Sequence, residues 1–297
     1  MKTNPNGVIL WISFVDQDHD DNKNYGFLAN EIALDGKGGI YTNGSIDGNI
    51  YIAKLNANDG SFVWSREFLT NSSVPGGYVG SIEMCLGLIA DSDGNSYCAG
   101  YTQSRLGESG GGYNNNDIFI LKLNPNGTLS WLTQLGSVTK TTTGNNNGAD
   151  SCNSIALDKN KNVYCAGFTT GEMNDTNPSG KSDVVFVKLN SNGTLSWVKQ
   201  LGEQAISEFG NSDGSETCQQ LTIDNSDNLY CIGHTDGELA ASNQSGVDYS
   251  NGYTSFEQAI IVKIDKDANL KWIKQYSGLT YPSGWGDDSA HIDDNGA

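Results

Sequence analysis

The string Asp117–Trp131, Asp-Ile-Phe-Ile-Leu-Lys-Leu-Asn-Pro-Asn-Gly-Thr-Leu-Ser-Trp, returns in variant form along the whole sequence, and a recurring unit constrains a fold more tightly than any single motif. It comes back as Asp183–Trp197, as Gln258–Trp272, as Asn49–Trp64 with one extra residue, and as a fragment from Met1 to Trp11. Each copy reads as a hairpin. Alternating apolar residues (Ile118 and Ile120, Val185 and Val187) make a strand with two faces, Asn-Pro-Asn-Gly or Asn-Ser-Asn-Gly supplies the positive-φ turn, and Leu-x-Trp opens the return strand.

A second hairpin alternates with the first, at Cys85–Thr102, Cys152–Thr169 and Cys218–Thr235, with the pattern Ile-Ala-x-Asp-x-x-x-Asn-x-Tyr-Cys-x-Gly-aromatic-Thr. A divergent copy, Ala29–Ile46, precedes these, and a last one starts at Asp287 and stops at Ala297. Two hairpins per period give a four-stranded antiparallel unit of roughly 55 to 75 residues, the size of a propeller blade. The expected fold is therefore all-β: a β-propeller with four complete blades, at about 30–68, 84–135, 151–201 and 217–276, and partial blade strands at 1–15 and 287–297. Residues 1–15 are expected to supply only an outer strand. Joining them to 287–297 would make a blade without its middle strands, so the sequence predicts further blades in a longer parent, or an open arc.

The formal charge of −18, from 35 acidic against 17 basic residues, disfavours nucleic acid and anionic membranes, both of which call for a basic surface. No apolar run is long enough to cross a membrane as a helix.

Within a blade whose strands run A (inner) to D (outer), the A-to-B and C-to-D turns are short and similar. The B-to-C loops range from Asp47-Gly48 to Gln103–Asn116, Thr170–Ser182 and Asp236–Ser255, and the D-to-A loops vary too. Both long sets leave a blade at the same end, so that end is the candidate recognition face. Tyr78, Tyr113, Tyr249, Tyr253, Tyr281 and Trp285 lie on these loops beside Asn and Asp, the company expected in sugar or peptide binding. Aromatics that pin loops to a blade would give the same pattern. Asp16, Asp18 and Asp20 are the candidate calcium ligands, set against the plainer reading of a solvated acidic loop. No other cofactor is indicated.

Six cysteines fall into three pairs with identical spacing, Cys85/Cys98, Cys152/Cys165 and Cys218/Cys231, while the divergent first blade loses both members together as Ala29 and Thr42. Cross-strand placement predicts three disulfides within blades and an extracellular or cell-surface location. Buried free thiols are the alternative. His234 stands where Tyr101 and Phe168 stand in sibling blades and reads as a packing residue. No nucleophile or zinc-protease motif is present.

Asp-x-Phe-x-x-Lys-Leu-Asn-x-Asn-Gly-x-Leu-x-Trp followed by Ile-Ala-Leu-Asp-x-x-x-Asn-Val-Tyr-x-Ala-Gly-x-Thr resembles the SBBP-type β-propeller repeat of bacterial surface and secreted proteins. The resemblance implies an extracellular propeller, often adhesin-like, with no catalytic residues to carry over. Lys54–Trp64 and Lys122–Trp131 also look like the tryptophan-docking segment of quinoprotein repeats. The expected role is a non-catalytic module binding a glycan or protein, with a purely structural spacer and a propeller enzyme as the competing readings.

Overall fold

The structure, a computed structural model, describes residues 1–13, 28–46, 48–68, 82–104, 106, 115–137, 148–173, 181–202, 215–235, 239 and 258–276. Every regular element among them is a β-strand, and none of the described residues belongs to a helix that could cross a membrane. A two-stranded hairpin, β1 (Lys2–Thr3) and β2 (Ile9–Trp11), comes first. The opening stretch thus holds the end of a C strand as well as an outer strand, since Asn4-Pro5-Asn6-Gly7 is itself a hairpin turn: the Gly7 N–H donates to the Asn4 carbonyl at 2.9 Å.

Four blades follow. They are β3 (Leu28–Leu34), β4 (Gly39–Ile46), β5 (Asn49–Asn56) and β6 (Phe62–Phe68); β7 (Glu83–Ala90), β8 (Ser96–Thr102), β9 (Asp117–Leu123) and β10 (Leu129–Leu135); β11 (Asp150–Leu157), β12 (Val163–Thr169), β13 (Asp183–Leu189) and β14 (Leu195–Leu201); and β15 (Glu216–Ile223), β16 (Leu229–Thr235), β17 (Gln258–Ile264) and β18 (Leu270–Tyr276). Each forms a four-stranded antiparallel sheet with its strands in chain order, the pattern of a propeller blade. Residues 287–297 lie outside the described residues.

The inner pair of every blade carries a bulge at one register position, between Ala29 and Glu31, Cys85 and Gly87, Cys152 and Ser154, and Cys218 and Gln220. The bulge brings the two backbones so close that a Cβ on Gly100, Gly167 or Gly233 would lie within 2.0 Å of a carbonyl oxygen, which is why the Gly of the repeat cannot vary. It also re-aims the extra residue. Asn30 Nδ2 donates to the Cys85 carbonyl at 2.8 Å, and Asn153 Nδ2 to the Cys218 carbonyl at 2.9 Å, so in both cases a bulge residue ties its blade to the following one.

Residues 1–135 and 136–297 are two compact units. In the first, β7 packs against β3, β4 and β5, and Tyr41, Ile52 and Trp64 bury Cys85, Leu88 and Phe119. In the second, β15 packs against β11, β12 and β13, and Tyr164, Val184 and Phe186 meet Cys218, Leu221 and Val262. The same contact is thus built twice, from the same repeat positions.

Candidate functional site

Antiparallel pairing gives each blade two edges, one holding the A-to-B and C-to-D turns and the other the B-to-C segment and the chain ends. The turn edge is closed by one network repeated in blades two to four. Asp91 Oδ1 accepts the N–H groups of Asp93 at 2.8 Å and Asn95 at 3.0 Å, while Oδ2 takes Asn95 Nδ2 at 2.8 Å and the Tyr97 hydroxyl at 3.0 Å. Asp158 and Asp224 repeat the set with Asn162 and Tyr164, and with Asn228 and Tyr230. Burial pushes the Asp91 and Asp224 carboxyls up, but these donors outweigh it and hold both below the usual aspartate range. The sequence reading of Asp91-Ser92-Asp93-Gly94-Asn95 as turn chemistry is what the structure contains.

From this turn the tyrosine ring reaches the tryptophan of strand D, with centroids 6.0 Å apart for Tyr41–Trp64 and 6.1 Å for both Tyr164–Trp197 and Tyr230–Trp272. The tryptophan then docks on the C-to-D turn of the next unit of the repeat. Trp11 Nε1 donates to the Ala57 carbonyl at 3.3 Å, Trp64 Nε1 to Pro125 at 2.9 Å and Trp197 Nε1 to Lys266 at 3.1 Å. The turn glycine serves two needs here: Gly127 has φ +79°, and a Cβ on it would lie 2.8 Å from the Trp64 ring. In the fourth blade that position is Ala268, held at φ +67°. Ala268→Gly is expected to raise stability by about 0.5–1 kcal/mol in urea unfolding, because it removes left-handed strain; a loss would refute that account.

The first blade departs from the network. Asp35 lacks the Asn partner, since Gly39 stands there, and it takes Lys54 instead, with Nζ 3.6 Å away and 4.8 Å from the Tyr41 centroid. Burial raises the Asp35 carboxyl, and the Gly39 and Lys37 N–H groups together with Lys54 bring it below its ordinary value. Beside it opens a cleft of about 420 Å³, lined by Asp35, Lys54, Asn56, Asn58, Asp93 and Pro125 among others. The sequence analysis missed this cleft. Its signal was the glycine-rich Asp35-Gly36-Lys37-Gly38-Gly39, where sibling blades carry Asn, and the extra residue in Asn56–Gly60.

At the loop edge a polar row, buried except for the half-buried Gln275, crosses each of blades two to four: Glu83, Thr102, Asp117 and Gln134; Asp150, Thr169, Asp183 and Gln200; Glu216, Thr235, Gln258 and Gln275. Gln134 Nε2 donates to Asp117 Oδ2 at 2.8 Å and to the Ser104 carbonyl at 3.0 Å, while its Oε1 accepts the Leu106 N–H at 2.9 Å. Gln200 holds Asp183, Gly171 and Met173 in the same way, and Gln275 holds Gln258 and Leu239. The first turn of each long B-to-C loop is thus clamped by a glutamine two strands away. Asp117 Oδ1 is buried without a hydrogen-bond partner among the described residues. Burial raises the Asp117 carboxyl and the Gln134 hydrogen bond only partly offsets it, so the ionised form is disfavoured in the fold. Asp117→Asn should therefore gain stability relative to wild type as pH rises from about 3 to about 7, since only the wild type must ionise a buried acid in that window. Parallel stability curves for the two proteins would show the acid to be solvated.

Tyr78, Tyr113, Tyr249, Tyr253, Tyr281 and Trp285, and likewise Asp16, Asp18 and Asp20, lie outside the described residues. Among the described residues no cluster of three His, Cys, Asp or Glu side chains could hold a metal. The cysteines are joined as Cys85–Cys98, Cys152–Cys165 and Cys218–Cys231, each with Cα atoms 5.8 Å apart across the inner hairpin. Disulfides persist in oxidising compartments, extracellular or periplasmic. Asn43, which opens an Asn-Gly-Ser sequon, is fully buried and donates Nδ2 to the Cys85 carbonyl at 2.9 Å, a structural role.

The Tyr–Trp pair, the Asp–Asn turn and the bulged glycine recur in register in both units, and the SBBP β-propeller repeat matches at residues 130–172 and 196–240. No curated protein matches the chain. Among solved structures it is similar to quinohemoprotein alcohol dehydrogenase from Comamonas testosteroni (14% identity, TM-score 0.43, covering 85% of this chain and 36% of that one). It is also similar to xylan β-1,4-xylosidase from Bacillus halodurans C-125 (13%, TM-score 0.42, 87% and 43%) and BamB from Moraxella catarrhalis (13%, TM-score 0.36, 82% and 63%). The chain spans less than two thirds of the length of each of these three proteins.

Proposed function

We propose that this chain is a non-catalytic binding module of an extracellular or cell-surface protein, taking a glycan or protein ligand on its B-to-C and D-to-A loops. One observation carries the reading. The turn edge of blades two to four is locked by the same Asp–Tyr–Trp set, whereas the opposite edge clamps the base of each long B-to-C segment with a strand-D glutamine and leaves the segment free to differ from blade to blade. A rigid base under diverse loops is how recognition surfaces are commonly built. Calcium held by Asp16, Asp18 and Asp20 would order the first of the D-to-A loops.

Glycan and surface-protein arrays, probed with the wild type and with variants in which 103–116, 170–182 or 236–257 is replaced by the Asp-Gly connection of the first blade, test this. Binding lost on loop replacement while circular dichroism is unchanged is the expected result. Wild-type binding no higher than background would leave a structural spacer as the reading, and turnover of a polysaccharide or a quinone substrate would refute the non-catalytic claim.

A further inference from the structure

Blades two to four complete their turn-edge network with an asparagine, and the first blade has none. Asp91 Oδ2 takes Asn95 Nδ2 at 2.8 Å and the Tyr97 hydroxyl at 3.0 Å, and Asp158 and Asp224 each hold an asparagine at 2.8 Å. With Gly39 at that position, Asp35 Oδ2 has only the Tyr41 hydroxyl at 3.4 Å and Lys54 Nζ at 3.6 Å, both longer than a good hydrogen bond. The Tyr41 hydroxyl donates instead to the Gly94 carbonyl of the second blade, at 2.7 Å. Two residues beyond Gly94, Ser96 stands where Val163 and Leu229 stand in the next blades. It pairs with Leu123, which packs against the first blade, and so faces the same way; its hydroxyl is buried with no hydrogen-bond partner among the described residues. The contact between these two blades thus holds two under-satisfied polar groups, one beside the cleft of about 420 Å³ and one just behind it. The residues lining that cleft all fall between 35 and 125, on consecutive blades within the first unit. Asp35, Asp93, Lys37 and Lys54 give its wall no net charge, Asn56 and Asn58 add side-chain amides, and Val63, 55% exposed, adds an apolar face.

We propose that this cleft binds the adjacent hydroxyls of a neutral sugar, at the edge opposite the long loops and independently of them. One hydroxyl would accept from Lys54 Nζ and donate to Asp35 Oδ2, supplying the short donor that an asparagine gives in the other blades. Its neighbour would accept from the Asn56 or Asn58 amide, with a C–H face of the ring against Val63. Hydroxyls suit the wall because each both donates and accepts. An anion would meet Asp35 and Asp93, and a cation would meet Lys37 and Lys54, so neither is favoured. Small-ligand clefts run from about 300 to 1,000 Å³, and this one has room for about one or two sugar rings.

The test is ligand-observed NMR titration with methyl α-glucopyranoside, methyl α-mannopyranoside and methyl β-galactopyranoside, and with inorganic phosphate and calcium as charged comparisons. The proteins are the wild type, Lys54→Met, Gly39→Asn and the three loop-replacement chains. At least one glycoside is expected to bind the wild type and the loop-replaced chains alike. Lys54→Met should weaken it about tenfold, the loss of one charge-assisted hydrogen bond, with circular dichroism unchanged. Gly39→Asn installs the side chain of the other blades, whose Cβ would run into Asp35 Oδ2 and lie 2.8 Å from Lys54 Cε, so it parts the pair. It should abolish binding while the urea midpoint holds or rises, because Asp35 regains a short donor. No saturable glycoside binding, equal affinity in wild type and Lys54→Met, or loss of binding on loop replacement would each overturn the proposal. Phosphate or calcium binding more tightly than every glycoside, and weakened by Lys54→Met or Gly39→Asn, would make this an ion site and overturn it too.

Discussion

Trp64→Ala is expected to lower the stability of the chain by about 3–5 kcal/mol, the cost of truncating a large buried aromatic. The ring is 9% exposed and bridges two blades. It meets Tyr41 edge-on, lies over Gly127, donates to the Pro125 carbonyl at 2.9 Å, and supports Arg66, whose guanidinium carbon is 5.9 Å from the ring and whose Nε reaches the Gly127 carbonyl at 3.0 Å. Removing it opens a void between sheets that cannot collapse, since both faces are fixed by strand pairing, and it strips the turn carbonyl of its donor. Trp272→Ala is the matched control: same residue, same position in the repeat, a tyrosine beside it in the same way, but no docked turn among the described residues. Its cost should stay below about 1 kcal/mol. Similar urea midpoints for the two variants would mean that the tryptophan stabilises its own blade and that docking contributes little.

The blade was legible in the sequence because its determinants are local and repeated. Asn-x-Asn-Gly turns, alternating apolar strands and the Asp-x-x-x-Asn-x-Tyr hairpin each specify a few ångströms of structure, and the period states how they combine. The cysteine pairs were readable for the same reason: joint absence of both members in the first blade is a correlation visible without coordinates. Interblade chemistry was not readable. Asn30 and Asn153 look like ordinary strand asparagines until the bulge turns them toward the next blade, and nothing in the composition marks Gln134, Gln200 and Gln275 as clamps for loops two strands away. The proposed recognition aromatics sit on segments with no repeat to set their register, so their sequence carried a residue type and no geometry. The cleft beside Asp35 escaped because it arises from a missing partner, and absences show only against aligned siblings.

Replacing one disulfide with the residues the first blade already uses, as Cys152→Ala with Cys165→Thr, is expected to cost about 3 kcal/mol. The crosslink spans a sequence separation of 13, so its main effect is to restrict the unfolded chain, and that restriction is lost whatever fills the native site. The native site itself should tolerate the change. Ala29 and Thr42 occupy these two positions in the first blade, where β3 and β4 pair in the same bulged register without a covalent link. All six cysteines are fully buried, so a reductant reaches them only when the inner hairpin opens. Thiol labelling of the native protein in dithiothreitol should therefore be slow and should accelerate with urea in step with unfolding, while the double variant shows its lowered midpoint without reductant. Rapid reduction of the native chain that leaves its urea midpoint unchanged would show that the crosslinks are both accessible and dispensable, and that the pairing of inner strands alone holds each blade.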